Sequence, residues 1–241
     1  AVVAGICNVV GSTIARETGR GVYLHAGPEI GVASTKAFTC QVSVMLMMAL
    51  KLARTRRMPL NEGEELCRWI ERLPELVEQV LAQSDAIKAV AQKYADCENA
   101  FFIGRGYLYP AALEGALKLK EISYIHAEGY HAAELKHGPI ALLEEKTPVV
   151  ALLNNVPGKD KTLGNAEECR ARKAPVIAIV SEGDEEAGEG FNDVIVLPDC
   201  PPCIAPIPTV VALQLLSYHI AVARGCEIDQ PRNLAKSVTV E

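Results

Sequence analysis

Aromatic residues are scarce in this 241-residue chain: they make up 5% of it, and only one is a tryptophan. Hydrophobic residues nonetheless reach 49%, so an apolar interior must be built from Val, Ile, Leu and Ala. Cores of that kind are typical of α/β proteins. The chain is long enough for one large domain, or for a complete domain with part of another.

A basic surface is also lacking. The formal net charge is −6, the sequence pI is about 5.5, and the Lys and Arg residues are scattered along the chain. This balance argues against nucleic-acid binding, which needs a clustered positive surface. No basic segment followed by a cleavable apolar run stands at the start, so we expect a cytoplasmic protein.

Long apolar runs are lacking as well. The most apolar segment, Ala37 to Leu50, lies between two lysines and contains Cys, Gln and Ser. It is shorter than the ~20 residues that a membrane-spanning helix needs. We therefore expect no membrane span, and we interpret this segment as a core or interface helix.

The cysteines give no sign of a metal centre. There are eight, irregularly spaced, which in a chain of this length indicates free thiols in a reducing compartment. Cys200 and Cys203 flank two prolines, but no second Cys or His pair accompanies them, as a zinc site would require. We expect neither a metal nor a cofactor.

Short apolar runs alternate with helical or loop sequence. Residues 1–8 and 22–25 predict two buried parallel strands, and residues 62–96 predict two amphipathic helices that connect two modules. Further strands are predicted at 100–103, 149–153, 176–180 and 194–197, and a last apolar helix at 208–224. Such alternation indicates a parallel sheet with helices on both faces.

Acids, bases and histidines are densest between Leu113 and Pro139. Glu114, Lys118 and Glu121 are spaced at i, i+4 and i+7, so a helix would carry all three on one face. Partial burial of this row would shift the pKa values of the carboxylates and suit them to proton transfer. The alternative is a solvated Glu/Lys face, the commoner origin of this spacing.

Two loops are candidate ligand-binding elements. Ser34 or Thr35 is placed to cap a helix that runs to about Arg56, and the free N–H groups at its start suit an anion or a sugar hydroxyl. A plain helix cap is the alternative. The segment 104–106, Gly-Arg-Gly, follows a strand and precedes a helix, as phosphate loops do, but it is also a common turn.

The segment from Asp229 to Glu241 ends the sequence. Terminal residues usually fray, but the turn at Pro231 and the alternating residues 238–240, Val-Thr-Val, favour a docked tail. A docked Lys236 between small residues would have a desolvated amine. Such an amine can attack a carbonyl to form an imine.

Three of these segments carry a resemblance to a known family: Glu29 to Phe38, Leu113 to Pro139, and Asp229 to Glu241. They resemble the isomerase portion of the glucosamine-6-phosphate synthases, which are glutamine–fructose-6-phosphate aminotransferases, and the resemblance runs over the whole chain. It implies an α/β fold of the sugar isomerase (SIS) type, a parallel five-stranded sheet flanked by helices, with one complete module and the C-terminal part of a preceding one.

The resemblance also implies domain boundaries. Residues 1–59 would be the C-terminal part of a first SIS domain, 60–90 a helical connector, and 91–231 a second SIS domain. Residues 232–241 would be a tail that closes the sugar site. On this interpretation the chain is truncated at its N-terminus.

In this family, the isomerase portion converts fructose 6-phosphate to glucosamine 6-phosphate with ammonia from a separate glutaminase domain. By position, Lys236 would form an imine with the ketose and Glu121 would move the proton between C1 and C2. His137, donated by the neighbouring subunit of a homodimer, would assist ring opening. The remaining positions that match or support the sugar site are Val32, Ser34, Ala235, Lys118 and Glu114.

Two departures bear on activity. The sequence contains no glutaminase domain, and the first module starts at its later strands, without the Ser/Thr-rich loops that hold the sugar phosphate in the family. We therefore expect the fragment to be inactive alone. The alternative is a non-catalytic sugar-phosphate-binding or regulatory module. Lys236 with Glu121 favours the enzyme, because a sensor has no need of an imine-forming lysine.

Overall fold

The computed structural model describes residues 1–236. Near the start, the strands β1 (Gly5–Cys7) and β2 (Gly21–Tyr23) flank the helix α1 (Thr13–Thr18) and pair in parallel. The two predicted strands are thus confirmed as parallel. Their predicted burial is wrong for β2, where Val22 is 43% exposed. The reason is that α1 packs on β1, and the described residues leave β2 largely uncovered.

A long apolar helix, α2 (Lys36–Arg54), follows. It confirms the predicted helix, but of its residues only Val44 and Leu50 are buried. Its apolar window is also long enough to cross a membrane by length and composition, so the expectation that this segment is too short is wrong. The last helix, α8 (Pro206–Ala223), is also long and apolar enough by length and composition, but two thirds of its apolar window is buried in the core.

Three helices connect the two sheets: α3 (Leu60–Glu71), α4 (Leu73–Leu81) and α5 (Ser84–Lys93). The prediction of two helices is wrong. The additional break falls at Arg72, and Pro74 opens the next helix, where its missing N–H costs no hydrogen bond. The second break, at Gln83, lies beside the predicted one.

A five-stranded parallel sheet forms the larger part of the molecule, in the order β4-β3-β5-β6-β7. Its strands are β3 (Asn99–Gly104), β4 (His126–His131), β5 (Val149–Leu153), β6 (Val176–Ser181) and β7 (Asp193–Leu197). The two further helices are α6 (Leu108–Ser123) and α7 (Lys159–Arg170). The α/β fold with a five-stranded parallel sheet is confirmed. The apolar runs predicted four of its strands; β4 was not among them.

Helices cover both faces of this sheet. Phe101 and Phe102 are neighbours in β3 and belong to different core clusters, because successive side chains of a strand point to opposite faces. Helices α4, α5, α6 and α8 contribute to the cluster around Phe102, and α7 to the cluster around Phe101. Each phenylalanine is at most 2% exposed, so its burial contributes about 2–3 kcal/mol.

Two glycines let α6 lie close to its neighbours. A Cβ on Gly129 of β4 would lie 2.7 Å from Cα of Leu113, and a Cβ on Gly115 would lie 2.6 Å from Cδ1 of Leu213 in α8. These approaches hold α6 between β4 and α8. The polar row on α6 is therefore carried into the interior.

Candidate functional site

The row on α6 is a buried charge cluster. Lys118 Nζ lies 2.6 Å from Glu121 Oε2 and 3.4 Å from Glu114 Oε1. The side chains of Lys118 and Glu114 are 4% and 9% exposed, and that of Glu121 is 22% exposed. The helical spacing is confirmed, and the alternative of a solvated face is wrong because α8 and the sheet enclose the helix.

The electrostatics of this cluster are asymmetric. Burial raises the pKa of the Glu114 carboxyl, Lys118 opposes the rise, and the charge of Glu121 adds to it, so the net direction is upward. Glu114 Oε1 also has no hydrogen-bond partner among the described residues. Glu121, by contrast, accepts a short hydrogen bond from Lys118. Lys118 therefore separates a carboxyl that favours its proton from a carboxylate that is charge-paired.

Lys118 also faces a cavity of about 280 Å³. The cavity lies between the loop 29–36, helices α6 and α8, and the segment that follows α8. The polar and charged residues that line it are Glu29, Thr35, Lys36, Lys118, Gln214, Tyr218 and Asp229. Its walls thus combine four acidic or basic side chains, Glu29, Lys36, Lys118 and Asp229, with hydroxyl and amide groups, a set suited to a small polyhydroxylated anion.

The segment after α8 docks against this cavity. Val32 N donates to the carbonyl of Asp229 at 2.9 Å, and the backbone N–H of Arg232 donates to the Tyr124 hydroxyl at 2.7 Å. The Arg232 guanidinium lies 4.2 Å from the centre of the Tyr124 ring. The predicted docking is confirmed as far as residue 236. The predicted strand-like residues 238–240 lie outside the described residues.

Lys236 reaches the loop that walls the cavity. Its Nζ donates to Glu29 Oε2 at 3.1 Å and to the carbonyl of Gly31 at 2.7 Å. The structure therefore brings Lys236 of the C-terminal segment and Lys118 of α6 to the same loop. Glu29 was missed as a site residue by the sequence analysis, although it opens one of the segments that carry the resemblance.

Glu29 also caps α2. Its Oε1 accepts hydrogen bonds from the backbone N–H groups of Thr35 and Ala37 at 2.8 and 3.3 Å. Thr35 occupies the N-cap position, but its side chain makes no capping hydrogen bond. The prediction that Ser34 or Thr35 caps this helix with its side chain is wrong, because the Glu29 carboxylate takes those N–H groups.

The remaining predicted sugar-site residues lie near this region with differing exposure. Val32 and Ser34 are half-buried in the loop before α2, and Ala235 is exposed next to Lys236. Their roles in binding stay predictions, as does that of Glu121, which contacts Lys118 but is not among the residues lining the cavity.

His137 is placed elsewhere. It is exposed in a short 3₁₀ turn, Glu134–His137, and it is not among the residues that line the cavity of this copy. The segment 104–106 likewise stands apart, since Arg105 Nη2 donates to Asn165 Oδ1 at 2.8 Å. Whether this segment holds phosphate stays a prediction.

Other chemistry-bearing groups do not form a site within residues 1–236. No cluster of His, Cys, Asp and Glu suited to a metal is found in that range. Burial raises the pKa of Cys200 to about 12 and also raises that of Cys203, so both are unreactive thiols. An apolar cavity of about 540 Å³ lies between α2, α6 and α8, and carbon atoms form most of its lining.

Comparison with known proteins identifies the fold family. The SIS domain family matches residues 1–51 and 93–224. The chain belongs to the SIS domain family. The interval between the two matched parts, 52–92, corresponds closely to α3, α4 and α5, the helices between the two sheets.

Two curated relatives in this family carry the name glutamine–fructose-6-phosphate aminotransferase (isomerizing). That of Chlorobaculum tepidum is 57% identical over 241 residues, which cover 100% of this chain and 39% of the relative. That of Thermus thermophilus is 53% identical over 238 residues, covering 98% of this chain and 39% of the relative. This SIS chain thus spans about two fifths of the length of these relatives.

A solved structure gives the same likeness in three dimensions. The C-terminal domain of glucosamine-fructose-6-phosphate aminotransferase from Francisella tularensis superposes with a TM-score of 0.90 at 39% identity. The match covers 94% of this chain and 64% of that one. This chain is therefore similar to the C-terminal domain of that aminotransferase.

Proposed function

We propose that this chain is the isomerase portion of a glutamine–fructose-6-phosphate aminotransferase, which converts fructose 6-phosphate and ammonia to glucosamine 6-phosphate. The names of the relatives support this assignment. The observation that carries it is the position of Lys236, whose Nζ bonds to Glu29 and Gly31 in the loop that, together with Lys118, lines the polar cavity.

In this proposal Lys236 attacks C2 of the open-chain ketose and forms an imine. Ammonia then attacks C2 and displaces the Lys236 amine, so the imine nitrogen now comes from ammonia and Lys236 is released. This imine withdraws electrons from C1 and makes its hydrogen acidic, so a carboxylate can remove it. Glu121 takes that proton and returns it to C2. Lys118 lines the cavity and lies 2.6 Å from Glu121, so it connects this carboxylate to the cavity. Glu114, Val32, Ser34 and Ala235 support or line the sugar site, and no cofactor is required.

We propose a homodimer in which His137 assists ring opening in the site of the neighbouring copy. Two features support it: His137 is exposed and not among the residues lining this copy's cavity, and α2 presents exposed apolar side chains, among them Met45, Met47 and Leu52. Analytical ultracentrifugation tests the dimer. A monomer at high protein concentration would count against it.

The other proposed partner is a glutaminase domain of the longer protein, which would release ammonia from glutamine. We propose a cytoplasmic location and no binding to nucleic acid or membrane. The acidic net charge supports the absence of nucleic-acid binding.

The experiment that tests the function is reductive trapping. The chain is incubated with fructose 6-phosphate and borohydride, and peptides are searched by mass spectrometry for a sugar-phosphate adduct. We expect an adduct on Lys236, absent from Lys236→Arg. Lys51, exposed on α2, serves as an internal reference for nonspecific reaction.

Two other outcomes are informative. An adduct formed only when upstream residues of the longer protein are restored would place the phosphate-binding groups in that region. If fructose 6-phosphate binds but no adduct forms, either on this chain or on the chain with its upstream residues restored, the proposed enzymatic function is contradicted. The non-catalytic sugar-phosphate-binding module is then favoured.

A further inference from the structure

Glu29 connects two separate elements through its two carboxylate oxygens. Oε1 accepts from the N–H groups of Thr35 and Ala37 at the start of α2, and Oε2 accepts from Lys236 Nζ. The side chain is 11% exposed, whereas that of Lys236 is 47% exposed. One partner is therefore fixed by the helix, and the other is an accessible amine that can reach a ligand.

Glu29 is an anion in this setting. Burial acts to raise the pKa of its carboxyl, but the hydrogen bonds from Thr35, Ala37 and Lys236 outweigh burial, so the net direction is downward. The positive end of the α2 dipole acts in the same sense. A carboxylate held in this way keeps its charge whether its partner is an ammonium or another cation.

The pair is too exposed to be explained by stability. Ion pairs with this much solvent access contribute about 0–1 kcal/mol, and α2 would retain its cap through Oε1 without Lys236. The contact instead fixes where the Lys236 nitrogen lies, beside the Glu29 carboxylate.

We infer that Glu29 is a positioning residue and the permanent counter-ion of the Lys236 nitrogen, before and after that nitrogen bonds to a ketose. The inference rests on the proposed function. In imine formation the Lys236 ammonium and the C2 carbonyl give a protonated imine and water: the nitrogen bonds to C2 and the C2–O bond breaks. Two of the three ammonium protons leave in the water, and the third stays on nitrogen.

The nitrogen thus carries one positive charge at the start and at the end, and Glu29 faces it in both states. The protonated imine is the more electrophilic form at C2, so its stabilisation promotes attack by ammonia, which releases the Lys236 amine. Other charged groups that face the cavity are Lys36 and Lys118, which oppose a further cation, and Asp229, which favours one. Glu29 is the carboxylate in hydrogen-bond contact with Nζ in the described structure.

The first test needs no sugar. Competitive acetylation with acetic anhydride measures the labelling of Lys236 relative to Lys51 at neutral pH. Loss of the counter-ion in Glu29→Gln should raise that ratio about fivefold, the upper end of what exposed ion pairs contribute. Glu29→Asp keeps the charge and should stay near the native ratio, as should Glu64→Gln on the exposed face of α3. An unchanged ratio in Glu29→Gln overturns the inference.

The second test is the pH profile of trapping with fructose 6-phosphate and cyanoborohydride, which reduces protonated imines. In Glu29→Gln the protonated imine has lost its counter-ion, so the whole profile should move to lower pH, by about fivefold in proton concentration. A profile that only loses height overturns the counter-ion role. If no adduct forms on any variant, on the native chain or on the chain with its upstream residues restored, the proposed function and the imine step are both overturned. The acetylation ratio then tests only the ion pair between Glu29 and Lys236.

Discussion

Lys118→Met removes the ammonium that lies between Glu114 and Glu121 while keeping most of the side-chain volume. Removing one partner from a buried ion pair costs about 3–5 kcal/mol, because a charge is left without compensation. Glu121 retains some contact with solvent at 22% exposure, so we expect the low end, about 3 kcal/mol. That is a large fraction of the about 5–15 kcal/mol by which domains are stable.

The loss should depend on pH. The pKa of Glu114 is raised in the folded chain, so its contribution to stability is complete below the unfolded-state pKa and is lost as pH rises through the folded-state pKa. Lys118 lowers that pKa, so its removal raises the pKa further. The destabilisation caused by Lys118→Met should therefore be smaller at pH 5 than at pH 8.

Urea unfolding followed by circular dichroism at the two pH values measures this difference. Lys120→Met, two residues along the same helix but exposed, is the matched control and should change the free energy of unfolding by less than about 0.5 kcal/mol. Adding Glu114→Gln to Lys118→Met should recover part of the loss. If Lys118→Met lowers the free energy of unfolding no more than Lys120→Met does, or by the same amount at both pH values, the explanation from a buried, uncompensated charge is refuted.

Two further predictions concern packing and thiol reactivity. Gly129→Ala should destabilise the fold by about 2–3 kcal/mol in the same urea assay, because its Cβ would lie 2.7 Å from Cα of Leu113. The control is Gly164→Ala in α7, which has open space around it and should be neutral or stabilising. Equal effects of the two substitutions would contradict the close packing of α6. Iodoacetamide at pH 8 should modify the exposed Cys67 in the native protein but should not modify Cys169 until urea is added, because burial raises the pKa of Cys169 to about 12. Mass spectrometry of the peptides measures both modifications, and modification of Cys169 in the native protein would contradict the prediction.

The sequence predicted best those strands that consist of consecutive apolar residues. Strands β5, β6 and β7 are such runs, and each lies at or near the predicted position. Strand β4 reads His-Ala-Glu-Gly-Tyr-His and lies at the edge of the sheet, where only Ala127 of its residues is buried. No period-2 pattern distinguishes it, so only pairing with β3 makes it a strand.

The site shows a similar division. The spacing of Glu114 and Lys118 predicted a shared helix face, but their burial comes from the packing of α8 and the sheet, which residue spacing does not contain. Glu29 could not be separated from an ordinary surface acid, because its partners are the start of α2 and Lys236, 207 positions away. Lys236 was identified through resemblance, but the desolvated amine predicted for it is wrong, because its side chain is 47% exposed and its Nζ contacts Glu29.

The strand order has a consequence for folding. Strand β3 is the first of its sheet in the chain, and β4, β5, β6 and β7 each pair with a strand already made, so the sheet can grow outward without inserting a strand between two others. The contact between Lys236 and Glu29 closes a far longer loop and has little apolar area to offset its entropy. The contact region around Glu29 and Lys236 should therefore be the last part to assemble and the first to open, with amide exchange in residues 29–35 faster than in the sheet.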